Sequence, residues 1–118
     1  MAASIYSITF DCSNGGELAS FWGTVLDREV DPEPSEFFAS IGRTNADGKP
    51  VMMFIQVPDS KSTKNRLHLD LETTDREGEV ERFVGLGATV HSEHDQWGTR
   101  WTTLLDPEGN EFCIASHS

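Results

Sequence analysis

The sequence predicts an α+β fold built from two βαβββ modules, and three observations predict it. Strand-like alternation gives way to helical spacing and then returns, and it does so twice. The order of parts in the second half repeats that of the first, starting 61 residues later. A polar stretch, "PDSKSTKNR", separates the halves near the middle of the chain. The modules are placed at about residues 4–58 and 66–116 of one domain spanning 1–118.

The first strand sets Ile8 and Phe10 on one side against Ser7, Thr9 and Asp11 on the other. After "CSNGG" the period changes. Leu18, Phe21, Trp22, Val25 and Leu26 recur at helical spacing and form one apolar face. Asn14 suits the N-cap, with Glu17 three residues on in the capping-box place. Three strands are expected next, at about 28–31, in "EFFASIG" and in "PVMMFIQV", with "NADGKP" as the turn between the last two.

In the second half "LHLDLET" alternates strictly, with Leu67, Leu69 and Leu71 opposite His68, Asp70 and Glu72. "TDRE" reads as a capping box with Thr74 at the cap and Glu77 at its third position. Val80, Phe83 and Val84 form the helical stripe, and Gly87 ends it. "ATVHSEH", "RWTTLLD" and "EFCIASH" follow as strands, and "DPEGN" supplies the turn between the last two. Each sheet needs a cover for one face, so the modules are expected to join into one curved sheet with the helices outside and a cleft on the other side. A small molecule would bind in that cleft.

Composition narrows the function. The net charge of −11 argues against nucleic acid or an anionic membrane as partner. "MAASIYSITF" has no basic n-region or long apolar stretch, and "VMMFI" is far short of the ~20 residues of a membrane span. A cytoplasmic location is expected, with Cys12 and Cys113 as thiols. The two cysteines stand alone, so they build no structural zinc site.

The duplicated order of parts, together with "NRLHLDLETTD", "FVGLGATV" and "DPEGNEFCI", resembles the vicinal oxygen chelate superfamily. It is most similar to the glyoxalase-like group that includes bleomycin-resistance-type binding proteins. The resemblance implies the βαβββ-pair fold, a homodimer, and, in metal-using members, four cleft ligands that are usually His or Glu. Carried over one position at a time, those positions fall on Ser7, Gln56, His68 and Cys113. Only His68 is an ordinary ligand among them, so no metal cofactor is expected. A Ni-, Mn-, Fe- or Zn-dependent lyase, isomerase or dioxygenase is the alternative.

His68 itself has three readings: ordering the strand end, touching a ligand, or acting as acid or base beside Asp70 and Glu72. Asp11, Asp70, Glu72 and Glu111 share the cleft-facing parity, which would make the cleft acidic and suited to a cationic guest. Trp101 and Phe54 are candidate ligand contacts, although core is the default for Phe54. His91 and His94 are expected at a solvated strand end, split across faces by alternation. The expected function is metal-free binding of a small molecule, of the resistance or sequestration type. The alternatives are the metal enzyme above and a metal-free enzyme using His68.

Overall fold

The computed structural model describes residues 2–116, which divide into one compact unit ending at Ser60 and another beginning at Lys61. The first unit holds β1 (Ser7–Cys12), α1 (Gly15–Leu26), β2 (Phe38–Ile41) and β3 (Val51–Gln56). The second holds β4 (Leu69–Thr73), α2 (Arg76–Gly85), β5 (Thr89–Gln96), β6 (Thr99–Leu105) and β7 (Glu111–Ser116). The sheet orders are β1-β3-β2 and β4-β7-β6-β5. The expected last strand ran to His117, which lies outside the described residues.

In each unit the first strand pairs in parallel with the last, so the chain must cross over between them, and the crossover contains the helix. The expected strand at 28–31 shrinks to one bridge, Val30 to Ile41. The chain there turns aside because Asp31 is buried as a loop anchor. Its carboxylate accepts from Ser40 Oγ at 2.6 Å, Arg43 N at 2.9 Å and Asn45 N at 2.8 Å. Desolvation opposes ionisation of Asp31, but these donors outweigh it and hold its pKa below the ordinary value.

The α1 face packs as its spacing predicts. Leu18 and Trp22 are buried, and Phe10 lies between Trp22 (5.5 Å) and Phe54 (5.1 Å). Asn14 caps the helix by accepting from Glu17 N at 3.1 Å. The α2 cap differs from expectation. Asp75 is the N-cap, accepting from Gly78 N at 3.0 Å, and Thr74 stands one residue outside. A carboxylate competes well with a hydroxyl for this position. Phe83 of α2 is buried against Phe112 of β7, and Leu104 and Ile114 complete that core.

Two helix glycines give opposite expectations. A Cβ on Gly15 would meet Phe54 O at 2.8 Å, whereas one on Gly85 meets nothing within 4 Å. Gly15→Ala should therefore destabilise by roughly 1–3 kcal/mol despite its better helix propensity. Gly85→Ala should stabilise by roughly 0.5–1 kcal/mol. Denaturant unfolding of both variants checks the signs, and a stabilising Gly15→Ala would refute the close approach.

Candidate functional site

A pocket of about 960 Å3 opens on the face of the second-unit sheet opposite α2. Strand parity explains the division. Thr102 and Leu104 of β6 and Phe112 and Ile114 of β7 turn toward the helix side and are buried. Trp101, Thr103 and Cys113 turn the other way and line the pocket.

At one edge of this face, on β4 and β7, three titratable groups converge. His68, just before β4, places Nε2 3.3 Å from Asp70 Oδ1. Asp70 pairs in register with Cys113, and Cys113 Sγ is 3.3 Å from Thr103 Oγ1. The ligand atoms of His68, Asp70 and Cys113 all lie within 4.8 Å of one another. Burial pushes the Cys113 thiol above its usual range; the Asp70 charge adds to the rise, and the Thr103 hydroxyl opposes it. Neither Cys113 nor the buried Cys12 is joined in a disulfide.

Glu111 lines the pocket, but its oxygens are taken. Lys61 Nζ lies 2.7 Å from Oε1, and Asn65 N donates to Oε2 at 2.6 Å. These contacts tie the segment before β4 to the start of β7. Desolvation alone would raise the Glu111 pKa, yet Lys61 and the Asn65 amide hold it below the ordinary value. Asp106 shapes the preceding turn by accepting from Glu108 N and Asn110 N, both at 2.9 Å. Gly109 supplies the positive φ (87°) that this turn requires.

At the opposite edge Trp101 of β6 lines the pocket as expected, and it is joined by β5 residues expected instead at a solvated strand end. A bulge between Val90 and Ser92 leaves His91 outside the register, after which Ser92 pairs with Thr103 and His94 with Trp101. The extra residue defeats simple alternation, so His91, Ser92 and His94 all line the pocket. Ser92 Oγ lies 3.1 Å from His91 Nδ1 and 2.8 Å from His94 Nε2. The His94 ring stacks on Trp101 with centroids 4.9 Å apart. The sequence carries no mark of the bulge beyond the polar run itself.

Several candidate residues stand elsewhere. Phe54 is fully buried (0% exposed) beneath α1, because its β3 parity points to the helix, and it is a core residue. Glu72 and Asp11 are exposed, and neither lines this pocket. Two lysines, Lys61 and Lys64, line it instead. The lining of this pocket is thus balanced in charge, and the acidic cleft expected from parity is not what forms here.

The family-implied metal positions do not supply a ligand set. Ser7 pairs with Val51, while Gln56 pairs with Cys12 at the far end of the strand pair and on the helix-facing parity. Gln56 Nε2 donates to Ser13 O at 3.0 Å. Aligning Thr9–Met53 with Asp70–Cys113 makes Met53, not Gln56, the internal counterpart of Cys113. A hydroxyl and a thioether balance no M²⁺ charge. The group that does converge, His68, Asp70 and Cys113, is the one cluster of three or more such donors found among the described residues, and Asp70 is not an inherited position.

A family model described as a glyoxalase-like domain matches residues 7–115. No functionally curated protein matches the chain. Among solved structures, a glyoxalase/bleomycin resistance protein/dioxygenase family enzyme from Burkholderia phytofirmans PsJN is 18% identical with a TM-score of 0.76, covering 97% of this chain and 98% of that one. A mutant of the fosfomycin resistance protein FosX from Listeria monocytogenes, complexed with Mn(II) and dihydroxypropylphosphonic acid, is 13% identical. Its TM-score is 0.77, over 100% of this chain and 93% of that one. Lactoylglutathione lyase from Agrobacterium tumefaciens is 13% identical with a TM-score of 0.65, over 98% and 95%. At these identities the likeness is one of fold.

The raised thiol pKa has a direct readout. Alkylation needs the thiolate, so iodoacetamide should label Cys113 slowly at pH 8 and faster only as pH climbs above about 8.5, the ordinary cysteine value. Burial is the main cause of the rise, and Asp70→Asn, which removes the smaller charge contribution, should speed labelling at pH 8. Mass spectrometry of the labelled peptide separates Cys113 from buried Cys12, and an unchanged rate in the variant would disprove the coupling.

Proposed function

Because the chain belongs to the glyoxalase-like domain family of the vicinal oxygen chelate superfamily, we propose that it binds a small organic molecule in the second-unit pocket without a resident metal, in the manner of a resistance or sequestration protein. The observation that carries this reading is the pocket itself. It has room for a drug-sized molecule, its walls mix aromatic and hydrogen-bonding side chains, and the inherited ligand positions hold Ser7, Met53, His68 and Cys113. His68, Asp70, Cys113 and Trp101 make the ligand contacts. Glu111 supports the wall through Lys61. The balanced charge of the lining removes the reason to favour a cationic guest over an anionic one.

A second reading rests on one specific observation, the convergence of His68, Asp70 and Cys113 within 4.8 Å. These donors would suit a divalent ion once Cys113 gave up its proton, and the chain would then be a metal-dependent lyase, isomerase or dioxygenase. The homodimer and the cytoplasmic location belong to the same proposal. No helix among the described residues is long and apolar enough to cross a membrane.

Two measurements separate the readings. A thermal-shift screen of chemically varied small molecules should find compounds that raise Tm by several degrees, since ligand at 100 times Kd adds about 2.7 kcal/mol. Metal analysis of untagged protein should show background metal only. Near one equivalent per chain, lost in His68→Ala, would establish the second reading, and a screen without a single stabilising compound would count against the first.

A further inference from the structure

The β5–β6 hairpin carries more aromatic surface than its fold requires. Its two-residue turn is Trp97–Gly98, with positive φ at both positions (53° and 74°). Asn-Gly or Asp-Gly usually fills such a turn, because a bulky side chain is strained there. Trp97 nevertheless holds this conformation while 88% exposed, so burial does not explain it. Its ring lies nearly parallel to Trp101, at 7° with centroids 6.0 Å apart, and His94 lies nearly parallel to the same indole at 13°. Three flat rings are therefore aligned along one hairpin.

The polar groups beside the stack are also organised. The bulge brings His91 onto the pocket face, and one Ser92 hydroxyl bridges the two imidazoles. Having a single proton, the Ser92 hydroxyl can donate to one of the two rings at most. His91 Nε2 and His94 Nδ1 have no partner among the described residues. The sheet order puts this assembly on β6 and β5 and the His68–Asp70 pair at β4, two and three strand steps away, or about 9–14 Å.

We infer that the hairpin is a second contact region of the pocket, built for a planar aromatic or heteroaromatic ring. The guest is then a two-part molecule, with that ring on the Trp101–His94 side and a polar group reaching toward His68, Asp70 and Cys113. This deepens the small-molecule reading and rests on it. The three rings stack on one another, and Trp101 and His94 bring that aromatic surface to the pocket lining, where a guest ring would meet it and the imidazole nitrogens would read its hydrogen-bonding edge.

Matched pairs of probes test the assignment: indole-3-acetate against cyclohexylacetate, and 4-aminoquinoline against cyclohexylamine, followed by tryptophan indole NMR signals. The aromatic member of at least one pair should bind tenfold or more tighter than its saturated partner and shift the Trp101 indole signal. Trp101→Leu should abolish the preference. Trp97→Ala, at a residue that stacks on Trp101 without lining the pocket, should weaken it several-fold, and Trp101→Phe should retain it if the leucine variant fails to fold. Equal binding of saturated and aromatic members overturns the ring assignment while leaving small-molecule binding intact. So does binding that leaves the Trp101 indole signal unshifted. If neither member of either pair binds, the ring assignment falls, and the thermal-shift screen alone then decides the broader reading.

Discussion

Parallel pairing between the first and last strands of each unit is the constraint on which the rest depends. A parallel pair cannot be closed by a tight turn, so the chain must leave the sheet and return, and the helix lies on that path. Once the helix covers one face, residue parity decides every side chain's fate. In the second unit the pairing of Asp70 with Cys113 puts a carboxylate and a thiol side by side on the uncovered face. In the first, the same pairing puts Phe10 and Phe54 together under α1.

Against that regular background the irregularities mark the pocket. One extra residue at His91 places three polar side chains of β5 on the pocket face where strict alternation would split them. Glu111 shows the opposite behaviour: it has the parity of a ligand contact, but Lys61 and Asn65 engage it first. Position on a strand sets which way a group points, and its neighbours set whether it has anything left to offer a ligand.

Charge teaches a related lesson. The chain carries −11 overall, yet the lining of the second-unit pocket holds Lys61 and Lys64 alongside Asp70 and Glu111. A net charge is a sum over the surface and does not describe a concavity. Around Cys113 the local field matters more. Partial burial and, to a lesser degree, the adjacent Asp70 favour the protonated thiol, a poor nucleophile and a reluctant metal ligand.

Much of the fold was legible because it is written in periodicity. The α1 stripe, the Asn14 cap, the "DPEGN" turn and the alternation of β4 follow from local spacing and turn chemistry, which act within a few residues. The Thr74 cap was misplaced by one residue because Asp75 competes for the same role. What lay beyond the sequence was pairing between distant segments. The Thr9–Met53 register makes Met53 rather than Gln56 the counterpart of Cys113, the Val90–Ser92 bulge creates the His91–His94 side of the pocket, and Phe54 turns to the helix. By itself the sequence determined the α+β repeat, its helices and turns, and the placing of His68 and Asp70 on one face, since these depend on near neighbours along the chain. Only the tertiary structure decided which of those groups meet and which remain free, because register, bulges and salt bridges are settled by contacts between strands far apart in sequence.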